Sequence, residues 1–363
     1  MLNEKSIAVV VPCFNEAQQI GRVLATLPEF VDLVIVVNDA STDATAQVVQ
    51  AFMAADRTPF TPLVRRVRQP GTGVYARAEN LALEMEREAE QLFIPCTEAS
   101  GGTSRVVLLN HGCNGGKGAA VATGFKFARD HGADCTAIMD GDGQMDPAEL
   151  DRLCRPVVAG RADYCKGNRF KHRAAHRAIP RVRHVGNAGL SMLTKIATGY
   201  WRVSDAQTGF VAISREALES LELHALYPRY GVYNDLLQKM NIANFTITEV
   251  PITPHYAVGE QSKLNISRVA PRIAGLLLRL FILRLFKKYL VQSFHPLFLL
   301  YAFSLFAFLV DIPLTARFLY AYFAHHEIWM AHLTLATLIG IFSFQSLVFA
   351  MWFDINDNDR LYV

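Results

Sequence analysis

The chain has 363 residues, 51% of them apolar, and a formal net charge of +3. That length accommodates one large domain or two ordinary ones, and so small a charge gives no pointer to nucleic acid. The apolar excess argues against a wholly soluble protein: it concentrates in residues 290–353, whereas 1–265 reads as a globular domain.

The opening run MLNEKSIAVVVPCFNE lacks a cleavage-like site and ends in a polar turn, so it reads as a first strand rather than a secretory leader. Apolar runs then alternate with helix-like stretches. Strands are expected at 7–12, 33–39, 105–110 and 135–140, each followed by a helix: near 17–27, 44–54, 118–130, and from Pro147 onward. Near-continuous apolar strands in repeated β-then-α units predict a mostly parallel sheet with helices on both faces. Ligands of such sheets bind beyond the carboxyl ends of the strands. The polar runs PCFNE, NDASTD, NGGKG and DGDGQ all fall at those ends. Residues 70–104 read as a surface insertion, a helical piece followed by a Gly/Ser/Thr-rich loop. The six cysteines form no Cys-x-x-Cys pair and are expected as buried, reduced thiols.

The run MDGDGQMDP (139–147) places Asp140 where an apolar strand ends. Asp142 would share its face if the extended conformation persisted. An EF-hand fails, because Met145 replaces the required glycine and no glutamate closes the loop. The remaining chemistry is a divalent cation, Mg2+ or Mn2+, held by few protein oxygens and completed by a diphosphate. NGGKGAA is no phosphate-binding P-loop, since Gly118 follows Lys117 where Ser or Thr is needed. Its glycine-rich turn can still meet an anion through backbone amides.

Residues 166–183 carry Lys166, Arg169, Lys171, Arg173, Arg177, Arg181 and Arg183 with no acid. Near a membrane such a loop suits a lipid phosphate and anionic headgroups. His172 and His176 have metal spacing, but no carboxylate or cysteine nearby completes a site. Residues 266–288 read as an amphipathic juxtamembrane helix with Arg268, Arg272 and Arg279 on one side. The uncharged stretches Tyr289–Val310 and Ile328–Phe353 are each long enough to cross a bilayer, giving two transmembrane helices within 289–353 and a tail at 354–363. Arg268, Arg272, Arg279, Arg284, Lys287 and Lys288 precede the first span, whereas the connecting loop offers Arg317. That asymmetry places the N-terminal domain and the tail in the cytosol.

Taken in order, VVVPCFNE, VIVVNDASTD, NGGKGAAVATGF, MDGDGQMDP, GNRF and SDAQTGF resemble the family 2 glycosyltransferases of GT-A fold over about 7–265. YGVYNDLL, VGEQSKL and the paired spans are similar to the dolichyl- and polyprenyl-phosphate sugar synthases within it. The resemblance implies a nucleoside pocket lined by Pro12, Asn15, Glu16 and Asp39. It implies a metal and diphosphate held by Asp140, Asp142 and Gln144, and donor or acceptor contacts from Lys117, Arg169 and Lys263. Asp205 would orient the acceptor or its phosphate-binding partner, and Asp235 would support the acceptor loop. The usual Asp-Asp-Gly-Ser reads Asn38-Asp39-Ala40-Ser41 here, which leaves UDP and GDP both open.

The expected function is therefore inverting transfer of a hexose from a nucleotide-diphosphosugar to a polyprenyl phosphate among membrane lipids. Direct transfer to a glycan or protein stays open, as does a non-catalytic nucleotide-sugar sensor. Self-association into a homo-oligomer is likewise undecided by the sequence. A processive polysaccharide synthase is disfavoured, because no Gln-x-x-Arg-Trp motif occurs.

Overall fold

The computed structural model describes residues 1–66, 70, 73–100, 104–170, 181–253, 266–325 and 329–363. Its strands β1 (Ile7–Cys13), β2 (Leu33–Asn38), β3 (Cys96–Ser100), β4 (Val106–His111), β5 (Cys135–Ile138), β6 (Tyr164–Asn168), β7 (Val211–Ser214) and β8 (Ile247–Pro251) form one sheet. The order is β3-β4-β2-β1-β5-β7-β6-β8. Strand β1 is central and parallel to β2 and β5, with Val10 level with Ile35 and Ile138. Its alternation feeds two cores: Ala8 and Val10 pack on one face, Ile7, Val9 and Val11 on the other. Both faces are covered, which is why the strand reads as an unbroken apolar run. β3 and β7 run antiparallel to their neighbours. This mostly parallel sheet bears out the expected GT-A class.

The helices are α1 (Ile20–Ala25), α2 (Thr45–Ala55), α3 (Ala76–Glu90), α4 (Lys117–Asp130), α5 (Leu150–Val158), α6 (Arg181–Thr198), α7 (Arg215–Ser220), α8 (Val232–Ile242), α9 (Ile266–Arg284), α10 (Pro296–His325) and α11 (Met330–Asp359). The insertion holds α3, which buries no residue, as a surface helix should. The segment after α3 is more than a loop, because Cys96–Ser100 becomes edge strand β3. Four of the six thiols are buried, but Cys96 and Cys113 are exposed, contrary to expectation.

Helix α9 packs Leu276, Leu277 and Leu280 against Ala197 of α6 and leaves Leu278 and Ile282, with Phe286 just beyond its end, half exposed on its other side. Helices α10 and α11 have 30 residues each, about 45 Å at 1.5 Å per residue, which is longer than a bilayer core of roughly 30 Å. Within their apolar windows 22% and 17% of residues are buried, unlike the core helices of a soluble protein. Ser304 and Ser343 each donate to the other's carbonyl at 2.9 Å, tying the two helices together.

Both helices are displaced from the uncharged stretches. The first starts at Pro296 and continues through Asp311, Pro313 and Arg317. Tyr289 belongs instead to a wider π-type segment, Leu285–Gln292, where its hydroxyl donates to Asp354 at 2.9 Å. Residues 354–363 are no free tail. Arg284 and Asp354, both fully buried, pair through two bonds of 2.7 Å, and Arg284 also donates to the carbonyls of Ile196 and Ala197. Lys288 and Asn241 both reach Asn358 at 2.8 Å. The last residues then lie along β8: Ile247 donates to the Leu361 carbonyl at 2.8 Å, and Val363 returns a bond to Ile247 at 3.0 Å.

Candidate active site

Four strand-end loops meet above β1, β2, β4 and β5. Asn15, at φ 58°, accepts from the Thr42 amide at 2.8 Å, and its own amide donates to Ser41 at 2.9 Å. The Glu16 amide donates to Thr45 at 2.9 Å. These bonds lace the loop after β1 to the loop after β2, with Pro12 level with Val37 at their base. Gly141 brings in the loop after β5, because a Cβ there would lie 2.6 Å from the Cys13 sulfur.

That crowding concentrates negative charge. Burial pushes the Cys13 thiol well above its usual range, and the fields of Glu16, Asp140, Asp142 and Asp43 push it further. A site that disfavours one more anion is suited to a cation.

Asp39 turns inward. It is 3% exposed and accepts from His111 Nδ1 at 2.8 Å, from the Gly115 amide at 2.9 Å and from the Gly116 amide at 2.7 Å. Burial alone would raise its pKa, but these donors outweigh burial and hold the carboxyl below its usual range. The glycine turn thus meets an anion through its amides, and that anion is the chain's own Asp39. Within α4 the amides of Gly118 and Ala119 go to the Pro228 carbonyl at 2.8 and 3.1 Å. These four amides are therefore committed within the chain, where the sequence suggests a ligand. His111 is a principal partner of Asp39 and is itself fixed by Thr123 at 2.9 Å.

Strand β5 ends at Ile138, so Asp140 and Asp142 do not share an extended face. Gly143, at φ 75°, turns the chain, and Asp142 accepts from the Gln144 amide at 3.0 Å. Lys117 donates to Asp140 Oδ2 at 2.7 Å. Burial works against the Lys117 charge, but Asp140, helped by Tyr233 and Asp142, keeps its pKa above the usual range. One cation that makes this pair of acids tolerable therefore comes from the chain itself. Asp140 Oδ1, however, is buried without a hydrogen-bond partner among the described residues. An all-oxygen set from Asp140, Asp142 and Gln144 fits Mg2+ or Mn2+. Among the described residues no group of three or more His, Cys, Asp or Glu could hold a metal, so two carboxylates would need ligand oxygens beside them.

Beyond β6 lies a second polar group. Arg169 grips both oxygens of Asp205, at 2.7 and 2.9 Å, and Asp205 is 1% exposed. Glu249 of β8 accepts from the amides of Ser204 and Asp205 at 3.0 and 3.1 Å and from Asn168 at 2.8 Å, which fixes the loop carrying Asp205. Lys166, expected as one cation of a basic loop, is wholly buried and donates to the Thr208 carbonyl at 2.5 Å. Burial lowers its pKa to about 8 against the pull of Asp205 and Glu249. The Tyr233 ring lies between the two groups, 5.3 Å from the Lys117 ammonium and 5.4 Å from that of Lys166. Its hydroxyl comes so close to Gly209 that a Cβ there would lie 2.5 Å away. Asp235 holds the 227–229 turn by accepting from the Tyr227 amide at 2.9 Å. Lys171, Arg173, Arg177 and Lys263, with His172 and His176, lie outside the described residues.

Glu249, His111 and Tyr233 were not legible as site residues. For Glu249 a signal existed: an acid inside the apolar run ITEVPI is tolerated only with partners.

The family description "Glycosyl transferase family 2" matches residues 8–88 and 92–222. Among curated relatives, the UDP-N-acetylglucosamine–dolichyl-phosphate N-acetylglucosaminyltransferase of Methanococcus voltae is 28% identical over 254 residues, covering 70% of this chain and 87% of the relative. The polyprenol monophosphomannose synthase of Mycolicibacterium smegmatis is 32% identical over 180 residues, covering 47% and 65%. Among solved structures, glucosyl-3-phosphoglycerate synthase from Mycobacterium tuberculosis with Mn2+, UDP and glucosyl-3-phosphoglycerate superposes at a TM-score of 0.49 and 16% identity, over 77% of this chain and 80% of that one. Matched over more than half its length, with the motif loops gathered at one edge of its sheet, the chain belongs to glycosyl transferase family 2.

Proposed function

We propose that this glycosyltransferase moves a hexose from a nucleotide-diphosphosugar to a polyprenyl phosphate, with α10 and α11 crossing the bilayer and the sheet on the cytosolic side. The observation that carries the reading is the pair Asp140–Asp142 at the end of β5, with Asp140 Oδ1 buried and unanswered, beside Lys117. Two relatives whose names specify dolichyl phosphate and a polyprenol product support the acceptor class.

In this reading a lipid phosphate oxygen forms a bond to the sugar C1. The bond from C1 to the diphosphate breaks on the opposite face, and the nucleoside diphosphate leaves with the electron pair. The configuration at C1 inverts. Asp140, Asp142 and Gln144 would hold Mg2+ or Mn2+, which when bound neutralises charge on the leaving diphosphate. Lys117, fixed by Asp140, adds positive charge at the same place. Arg169, held by Asp205, offers a preset cation to the incoming phosphate. A lipid phosphate is already ionised near neutral pH, so no strong base is required and Asp205 serves to position Arg169. The basic run from Arg272 to Lys288 before α10, set against the single Arg317 near the far end of α10, supports the cytosolic placement.

The test uses the full chain in detergent, polyprenyl phosphate, a panel of radiolabelled UDP- and GDP-sugars, and Mg2+ or Mn2+. One donor should yield a lipid-linked sugar. Asp142→Ala should reduce the rate at least ~100-fold, as expected on losing an electrostatic contact made in the transition state. Transfer only to a glycan or protein, or an unchanged rate in Asp142→Ala, would overturn the proposal.

A further inference from the structure

A cavity of about 500 Å3 lies between α9 and the surface formed by α8 and the preceding turn, lined by none of the strand-end acids Asp39, Asp140 and Asp142. That volume is ordinary for a ligand site. Its apolar wall comes from Leu276, Leu280 and Leu283 of α9 and Ile242 of α8. Its polar wall carries Arg279 and Lys287, both exposed and without an ion-pair partner among the described residues. The other charges do not cancel these two. Lys239 is committed to Asp235 at 2.6 Å and to the Ala225 carbonyl at 3.0 Å, which leaves exposed Glu222 against two cations.

The cavity adjoins the lipid-facing side of the molecule. Leu278, Ile282 and Phe286, 61%, 56% and 50% exposed, recur every fourth residue as one outward stripe. At about 100° per residue, Arg279 falls between that stripe and the cavity, and Leu283 and Lys287 continue in the same direction round the helix. A helix that rests its stripe in the headgroup region therefore brings two unanswered cations and a leucine wall to the depth of lipid phosphates.

From this juxtaposition we infer that the cavity is a binding site for an anionic phospholipid. The phosphodiester sits between Arg279 and Lys287, and the start of the acyl chains lies along Leu276, Leu280 and Leu283. The site is separate from the acceptor position at Arg169 and takes a resident lipid rather than the substrate. It rests on the membrane-anchored reading of α9 but not on the sugar chemistry, and its test uses no donor.

Full-length protein in neutral detergent is titrated with dihexanoyl phosphatidylglycerol or dihexanoyl phosphatidylcholine and followed by native mass spectrometry. One phosphatidylglycerol should be retained per chain, and phosphatidylcholine should bind much more weakly. Arg279→Gln/Lys287→Gln should weaken retention roughly 30-fold, at about 1 kcal/mol for each basic residue. Arg272→Gln, on the same helix but outside the cavity, should stay within about threefold. Leu283→Trp keeps both charges while filling the cavity, and should lose binding to a similar degree even if the double variant fails to fold. Equal retention of the two lipids, or unchanged affinity in Leu283→Trp, overturns the inference. So does displacement of phosphatidylglycerol by a short-chain polyprenyl monophosphate, which would make the cavity part of the acceptor site.

Discussion

Asp205 shows how a buried charge is kept and what it costs to lose it. Burial raises its pKa, but Arg169 outweighs burial through two short bonds and its charge, with Lys166 adding to the field. The folded carboxyl is therefore more acidic than the usual value of 3.8. A depressed carboxyl stabilises the fold fully above the unfolded pKa, and that contribution is lost as pH falls through the folded one. Asp205→Asn should lower stability at pH 7 by roughly 1.5–3 kcal/mol, the range for hydrogen bonds to charged groups. The loss should shrink as pH drops below about 4, where the wild-type carboxylate also titrates. Chemical denaturation at pH 7 and pH 3 checks this; an equal loss at both would mean that the pair contributes nothing through charge. Transfer should suffer as well, chiefly in KM for the lipid phosphate, because Arg169 would no longer be held in place.

Among the secondary-structure elements, the juxtamembrane helix, the π-type segment and the end of α11 behave as one unit. Arg284 and Asp354 are fully buried, and Tyr289, Lys288 and Asn358 complete the network around them. Removing one partner of such a pair leaves a charge with no water, which typically costs about 3–5 kcal/mol. Asp354→Ala should show that loss in thermal unfolding, and Arg284→Met/Asp354→Leu should recover most of it. If the double variant is no better than the single one, the network is not governed by charge. None of this pairing was legible in the sequence, because 70 residues separate Arg284 from Asp354 and no local spacing encodes their meeting. The same holds for Asp39 and His111, 72 residues apart. The legible part was local. Unbroken apolar runs gave β1, β2, β4 and β5, and the strand-end polar runs placed the acids correctly at one edge of the sheet. The lack of charge between 289 and 310 misplaced the first long helix, because Tyr289 is buried under Asp354 and α10 carries Asp311 and Arg317 within its length.

The whole molecule is built so that its two long apolar helices and its sheet hold each other in one orientation. After α11 the chain returns to β8 through Leu361 and Val363, and Arg202 meets Asp359 at 2.6 Å. Tyr362 reaches Glu249 at 3.4 Å, and Glu249 in turn fixes the loop of Asp205. Tyr362, just beyond the last helix, is thus three hydrogen-bonded steps from the proposed acceptor cation, through Glu249 and Asp205 to Arg169. In the membrane-anchored reading, the hairpin does more than tether the enzyme; it sets the height and tilt of Arg169 above the bilayer. A chain ending after residue 294 should therefore keep nucleotide-sugar binding, because the loops around Asp39 and Asp140 draw on nothing beyond residue 253 among the described contacts. Arg284→Met in the shortened chain, kept in detergent, removes the charge that Asp354 would otherwise answer. Its ratio of kcat/KM for long-chain over short-chain polyprenyl phosphate should fall at least ~10-fold, about 1.4 kcal/mol of lost positioning. Calorimetry with the donor and transfer assays with both acceptors measure the two halves of this expectation. An unchanged ratio would mean that the hairpin anchors the enzyme without aiming it.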